Sequence, residues 1–251
     1  MKICKSAICL IVLIFLLASV SFSKEVKSSK DQAVVTFLQG KVYVLPKGEA
    51  KGTPLKVHDI LHKEDRINTG EKALIEIKLP DGSFVRFADN TSFTVSDLSY
   101  NRESGDKNFG VKLFLGKTWA NAKGFLGRGK KFEISSENAV AGIKGTIYRM
   151  DVSKDKSVLI RVYGGNVYVT SPPKEIPKPV FEIGAPKEVK GPKEVPGPRE
   201  VTLKEWEHIV KEMQQIVITP EGKALKPVSF SSEEDISDWV LWNKKRDELI
   251  K

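Results

Sequence analysis

The sequence contains few residues suited to covalent or metal chemistry. Its 251 residues include two cysteines and three histidines. Both cysteines, Cys4 and Cys9, lie in an apolar N-terminal segment, so the chain after residue 23 has no thiol. This excludes a disulfide framework, a cysteine nucleophile and a thiolate zinc site there.

The histidines do not form a convincing metal site. His58 and His62 have a spacing that would converge on a helix, but they straddle a pattern typical of a strand and a turn. His208 is isolated among charged residues. The chain has no Gly-x-Ser-x-Gly motif, and the glycine-rich stretch 124–129 lacks the strand-to-helix setting of a phosphate-binding loop. We therefore predict a protein that is not an enzyme and has no metal or cofactor.

The N-terminus resembles a secretory signal peptide. Lys2 and Lys5 precede a short apolar core, and small residues lead to a predicted cleavage between Ser23 and Lys24. An uncleaved anchor is the alternative, and both interpretations place the remainder in the periplasm or outside the cell. The net charge of +9 is consistent with affinity for acidic surfaces, or simply with lysines that maintain solubility.

Short alternating strands fill residues 31–170. In the stretch 65–87, an alternating strand leads through the turn Pro80–Ser83 into a second alternating strand. The phrase Gly40–Val44 (G-K-V-Y-V) returns almost unchanged as Gly165–Val169 (G-N-V-Y-V), with a looser copy at Gly116–Ala120. These patterns predict a mainly β protein built on an antiparallel β-sandwich or a solenoid-like module.

The order of the short motifs resembles the FecR domain across roughly residues 35–170. The matching positions are Leu61, Asp65, Ile67, Thr69, Gly70, Asp81, Gly82, Ser83, Gly116, Phe132, Ala139, Val140, Ala141, Gly145, Thr146 and the strand after Gly165. The resemblance implies an exported β domain, which in the regulators that name the family passes a signal from a siderophore receptor to a sigma factor. We expect this chain to lack the anti-sigma segment and the membrane span of those regulators. We assign a structural role to Thr69, Gly70, Asp81, Gly82, Gly145 and Thr146.

The composition changes at residues 171–201, which hold eight of the 13 prolines and a repeat of the form P-K-E-V-x-G. We predict an extended linker there, with a docking strip for an aromatic groove as the alternative. Residues 202–251 are predicted to be helical. A first helix opens at the capping box Thr202-x-x-Glu205 and runs to Val217, and a second opens at Ser232-x-x-Asp235.

Three of the four tryptophans lie in this C-terminal region, namely Trp206, Trp239 and Trp242. We predict that they pack against each other or against the β module, with an exposed aromatic surface for a partner or a membrane interface as the alternative. The sequence thus predicts a non-catalytic exported protein that binds an envelope protein or polymer. The alternatives are a cell-wall polysaccharide or peptidoglycan-binding module, using the basic loop 123–131, and a periplasmic signalling component related to iron-uptake regulators. No nucleic acid partner is expected, and membrane contact only through an uncleaved signal segment.

Overall fold

The structure, a computed structural model, describes residues 32–101, 103–122, 128–143, 145–173 and 206–250. These ranges form seventeen strands and one helix. The first nine strands are β1 (Ala33–Gln39), β2 (Val42–Leu45), β3 (Thr53–Pro54), β4 (Ile60–Leu61), β5 (Arg66–Thr69), β6 (Leu74–Lys78), β7 (Phe84–Phe87), β8 (Ser92–Tyr100) and β9 (Lys107–Ala122). The others are β10 (Lys130–Ser135), β11 (Val140–Ile143), β12 (Thr146–Val152), β13 (Val158–Gly164), β14 (Asn166–Thr170), β15 (Glu207–Lys211), β16 (Gln214–Ile218) and β17 (Val228–Ser229), followed by helix α1 (Asp238–Glu248).

The strands form two layers that share one long strand. Sheet A has the order β4-β1-β6-β7-β9-β12-β13-β16-β17. Sheet B has the order β3-β2-β5-β8-β9-β10-β11-β14-β15. All pairings are antiparallel except that of β9 with β10, which is parallel. The prediction of a mainly β module of the sandwich type is confirmed.

Strand β9 passes from one sheet to the other. Its first half pairs with β8 and β10 in sheet B, and its second half pairs with β7 and β12 in sheet A. The change of sheet occurs at Gly116, whose φ is 101°. A Cβ atom there would lie 2.2 Å from Thr91 Oγ1 and 2.6 Å from Thr91 Cα. The bend therefore needs a residue without a side chain.

The two sheets enclose one apolar core. The alternating apolar residues of β6 and its flanks, Ala73, Ile75, Ile77 and Leu79, are buried to 3% exposure or less. Phe87 of sheet A and Phe93 of sheet B stack with ring centroids 3.5 Å apart, which joins the layers at the centre. The alternation of the sequence therefore identifies the core face correctly.

The repeated G-x-V-Y-V phrases occupy matching places in sheet B. Strand β2 lies second from one edge and β14 lies second from the other. In each phrase both valines are buried, with Val42 and Val44 in β2 and Val167 and Val169 in β14. The echo in the sequence thus reflects a repeated position in the fold.

The predicted first C-terminal helix is wrong. Residues 207–211 and 214–218 are strands β15 and β16, joined by a tight turn. Strand β15 pairs with β14 in sheet B, and β16 pairs with β13 in sheet A. The segment is rich in β-branched residues, and β13 and β14 offer unpaired backbone groups, so sheet pairing prevails over the helical spacing. The capping residues Thr202 and Glu205 lie outside the described residues.

The predicted short helix at the C-terminus is confirmed, but it begins later than expected. Ser237 is the N-cap, and its hydroxyl accepts a hydrogen bond from the Val240 amide at 3.3 Å. The predicted start at Ser232-x-x-Asp235 is wrong, because Asp235 instead contacts sheet A. The signal segment 1–23 and the linker 171–201, apart from residues 171–173, lie outside the described residues and stay predictions.

The bend at Gly116 provides a stability test. Gly116→Ala should lower the free energy of unfolding by about 3 kcal/mol, because strain at positive φ adds to a backbone clash with Thr91. Gly82→Ala is the control, since Gly82 has a φ of 84° but no atom within 4 Å of its added Cβ. It should cost about 1 kcal/mol. Urea unfolding measures both, and equal losses would contradict the role of the bend.

Candidate binding cleft

The outer face of sheet A carries a buried ion pair. Glu76 and Arg86 lie opposite each other on β6 and β7 and point away from the apolar core. Their exposed fractions are 1% and 0%, and Arg86 Nε donates to Glu76 Oε2 at 2.6 Å. A pair of charges so completely removed from water requires further polar partners.

Helix α1 supplies those partners. Arg86 Nη1 donates to Asp247 Oδ1 at 2.6 Å, and Trp119 Nε1 donates to Asp247 Oδ2 at 2.9 Å. Arg246 donates to both oxygens of Glu76, at 2.9 and 2.6 Å. Charged hydrogen bonds thus fasten the last turn of the helix to the middle of sheet A. The helix is the cover of this face.

The Glu76 carboxylate is held in its ionised form. Burial by itself raises the pKa of Glu76, but hydrogen bonds from Arg246, Arg86 and Thr36 outweigh it and hold that pKa below its usual value. This group stabilises the fold above its ordinary pKa, and its contribution is lost as the pH falls through the lowered value. Near neutral pH Glu76 is therefore ionised and keeps its charged hydrogen bonds with Arg86 and Arg246.

A second charged cluster fastens the segment before the helix. Asp235 accepts hydrogen bonds from Arg149 Nη1 at 2.7 Å and from the Tyr163 hydroxyl, and it forms an ion pair with Arg161. Asp151 lies beside this cluster, with Arg149 Nη2 3.2 Å from its Oδ2. Burial raises the pKa of Asp151 to about 6, against the opposing effect of Arg149. Burial also raises the pKa of Tyr163.

An open cleft lies where the first turn of helix α1 meets the edge of this face. Its volume is about 450 Å³, within the range of small-ligand sites. Trp239 and Trp242 form one wall, stacked with centroids 5.5 Å apart and an interplanar angle of 18°. The ring centroids of Phe37 and Trp242 lie 5.4 Å apart, and the Arg246 guanidinium lies 5.7 Å from the Trp242 ring centroid. These contacts fix the position of the Trp242 side chain.

The remaining cleft lining combines an apolar part with polar groups. The apolar part consists of Ala73, Leu74 and Ala88. Polar side chains come from three strand ends and the helix start, namely Gln39, Lys72, Asp89 and Asp238. Stacked indoles beside amide, ammonium and carboxylate groups suit noncovalent recognition of a ligand with a flat apolar face and hydrogen-bonding edges.

The structure brings two of the three predicted partner-binding tryptophans together. Trp239 and Trp242 meet in the cleft, and both also pack against sheet A. Trp206 lies elsewhere, against the main core, and its Nε1 donates to the Gly222 carbonyl at 3.0 Å. The predicted packing on the β module thus applies to all three, while the cleft concerns two.

The predicted structural motif residues lie at turns. Thr69 donates to the Ala88 carbonyl at 2.7 Å and accepts from the Thr91 amide at 2.8 Å. The Gly70 amide donates to the Lys41 carbonyl at 2.8 Å.

The other motif residues also make local contacts. Asp81 accepts from the Ser83 amide at 3.0 Å across the turn that contains Gly82. Thr146, next to Gly145, donates to the Asn166 carbonyl at 2.9 Å. These contacts agree with a structural role, which stays a prediction. Ser23 and Lys24 lie outside the described residues.

Sequence reasoning missed the buried charged residues that position the cleft. Arg86 and Arg149 were not singled out, although they interrupt mainly apolar strands, and Asp235 was named only as a helix-capping residue. A charged residue at such a position, flanked by buried neighbours, is a signal that a partner covers the outer face. Only the tertiary structure identifies that partner as the chain's own C-terminus.

Two packed sheets with a helical cover define a β-sandwich protein with a lateral cleft. The family model described as FecR protein matches residues 65–168, from the start of β5 into β14. This match confirms the predicted resemblance to the FecR domain over that part of the chain. No curated protein matches the chain. No helix among the described residues is long and apolar enough to cross a membrane.

Two solved structures are similar to the chain, both titled "putative anti-sigma factor" from Parabacteroides distasonis ATCC 8503. Each is 16% identical and covers 67% of this chain, and the TM-scores are 0.45 and 0.44. The match spans 61% of the length of those solved chains.

The Asp247 contacts predict a large effect of a single substitution. Asp247→Asn should lower the free energy of unfolding by about 3 kcal/mol, because it leaves a buried guanidinium short of one charged partner. Glu248→Gln, an exposed neighbour in the same helix, should change it by less than about 0.5 kcal/mol. Urea unfolding followed by tryptophan fluorescence measures both. Losses of equal size would mean that the buried pair does not hold the cover.

The Asp151 carboxyl predicts a dependence on pH. Its folded pKa of about 6 exceeds the ordinary value of 3.8, so its contribution to stability is full below about 4 and is lost as the pH rises through 6. Relative to Asp151→Asn, the wild type should therefore gain about 2 kcal/mol between pH 7 and pH 4. Relative to Asp155→Asn, the wild type should instead lose stability as the pH falls, since hydrogen bonds from Ser157 lower the pKa of Asp155. Denaturant titrations at each pH measure the free energy of unfolding. A difference between wild type and Asp151→Asn that does not change with pH would contradict the prediction.

Proposed function

We propose that the protein is a non-catalytic, exported FecR-domain protein that binds an envelope component or a protein partner through the cleft beside Trp242. The observation that supports this most directly is the composition of the cleft. Stacked indoles and four polar side chains surround an open volume of about 450 Å³. The charged contacts of helix α1 hold this wall in place before any ligand arrives, which lowers the entropic cost of binding.

Export agrees with the N-terminal segment, whose short basic start and apolar core are those of a signal peptide. Within each of the two titratable clusters under the cover, the charged groups are bonded to each other, as in the Arg86–Asp247 and Arg149–Asp235 pairs. Their hydrogen bonds serve attachment of the C-terminal segment, which fits a binding protein rather than an enzyme.

A second candidate function is recognition of a cell-wall glycan, and the indole stack favours it. The apolar face of a sugar ring packs well on a flat aromatic surface, while its hydroxyl groups suit side chains such as Gln39 and Asp89. In this interpretation the envelope component is the polymer itself. Signalling is a third candidate, supported by the FecR domain alone.

Site-specific photocross-linking tests the cleft. A photoreactive amino acid in place of Lys72, an exposed position at the cleft, should form a defined adduct in intact envelopes. The same amino acid in place of Lys226, exposed on another part of the surface, is the matched control. Trp242→Ala in the Lys72 variant should reduce the adduct about tenfold, because the wall is lost.

The nature of the adduct separates the candidate functions. A protein adduct supports partner binding, and an adduct that muramidase digestion shortens supports glycan binding. Equal labelling from residues 72 and 226, or an adduct unaffected by Trp242→Ala, would overturn the cleft as the recognition site.

A further inference from the structure

The outer face of sheet B contrasts with that of sheet A because two aromatic rings on it stay exposed. Tyr43 on β2 is 43% exposed and Phe114 on β9 is 42% exposed. Each ring is thus more than half covered by its own sheet and presents one side to solvent. Aromatic rings fixed in this way offer contact area at little cost in side-chain entropy.

Two cations flank Phe114. The Arg66 guanidinium lies 5.0 Å from the ring centroid and the Lys112 ammonium lies 5.6 Å from it. Among the described residues, neither cation has a carboxylate within salt-bridge distance. Glu137, which lines a hollow together with Lys112, pairs instead with Lys156. These two positive charges are available to a ligand.

Strand pairing sets the spacing of these groups. Arg66 and Lys112 lie on either side of Thr94, which pairs with both, so two strand spacings or about 10 Å separate their backbones. Tyr43 lies one strand beyond β5, about 14 Å from β9. The result is a strip that runs across the strands with an aromatic ring towards each end and a cation between them.

A hollow adjoins the strip at Phe114. Its volume is about 220 Å³, and its lining consists of Lys112, Phe114, Glu137, Val152 and Lys156. It is therefore concave beside the exposed ring and large enough for one ligand unit. The strip and this hollow together are called the Phe114 surface below.

We propose that the Phe114 surface binds an extended anionic polysaccharide. The rings would pack against sugar rings, and Arg66 and Lys112 would pair with carboxylates or phosphates repeated along the polymer. The net charge is +9 for the whole sequence and +7 without Lys2 and Lys5 of the signal segment, and it attracts such a polymer at long range. This surface is separate from the cleft, but the choice of an envelope polymer rests on the export proposed above.

Other anionic partners fit the surface less well. A nucleic acid site needs a longer run of cations along the phosphate backbone than the two here. A membrane site needs apolar side chains that protrude into the lipid, whereas these rings are more than half covered. A polysaccharide with carboxylates or phosphates repeated along an uncoiled chain can place an anion at each of the two cations that flank Phe114.

Binding to a polyuronate tests the proposal, with alginate oligomers as the probe and neutral dextran as the control ligand. The full chain should bind alginate at low salt, should not bind dextran, and should lose affinity as salt screens the charges. Arg66→Gln with Lys112→Gln should weaken binding about tenfold. Lys226→Gln with Lys245→Gln removes the same charge from other exposed positions and should change the dissociation constant less than about twofold.

The aromatic contribution is tested separately. Phe114→Ala should weaken alginate binding about fivefold, whereas Leu225→Ala, which shortens another exposed apolar side chain, should not. Circular dichroism confirms folding of each variant. Equal losses in the two charge pairs, stronger binding to a single-stranded oligonucleotide or to anionic vesicles, or absence of alginate binding would overturn the proposal. A failed cross-link at residue 72 with intact alginate binding would overturn the cleft alone.

Discussion

The contact between Arg86 and Asp247 is the constraint on which the rest of the arrangement depends. It joins the centre of sheet A to the last turn of helix α1, 161 residues later in the chain. Both charges are buried. Separating them would leave an unpaired charge inside the protein, which costs more free energy than the loss of an ion pair at the surface. The same helix carries Trp239 and Trp242, which form the wall of the cleft. The contacts of Asp247, at the other end of the helix, therefore also hold this wall in place.

The asymmetry between the two sheets has a functional consequence. Sheet A is covered by the chain's own C-terminus, and its outward charges are consumed in that packing. Among the described residues, no helix covers the outer face of sheet B, where Phe114 is exposed between two cations. The two proposed binding sites therefore lie on opposite faces of the sandwich.

Residues within the strands were the most predictable part of the molecule. Alternation from Ala73 to Leu79 identifies the buried face, because side chains in a strand point in turn to opposite sides. The cleft was only half predicted: Trp239 and Trp242 were named, but Lys72 and Asp89 were not. Lys72 and Asp89 lie at strand ends far from the helix in sequence, and no local sequence pattern predicts that they line a cleft with it. Likewise, the apolar residues of β15 and β16 are spaced as in a helix. These segments form strands because their backbones pair with the otherwise open edges of β14 and β13.

By itself, the sequence determined the β character of the module and its resemblance to the FecR domain, since these follow from period-two alternation and short turn motifs. Export stays a prediction from the apolar N-terminal segment. Only the tertiary structure decided which sheet is covered, where the long strand changes layers and which side chains share a cleft. The physical reason is that these features depend on contacts between distant segments. Arg86 within an apolar strand signals a covering partner, but only the tertiary structure shows that this partner is Asp247, 161 residues away.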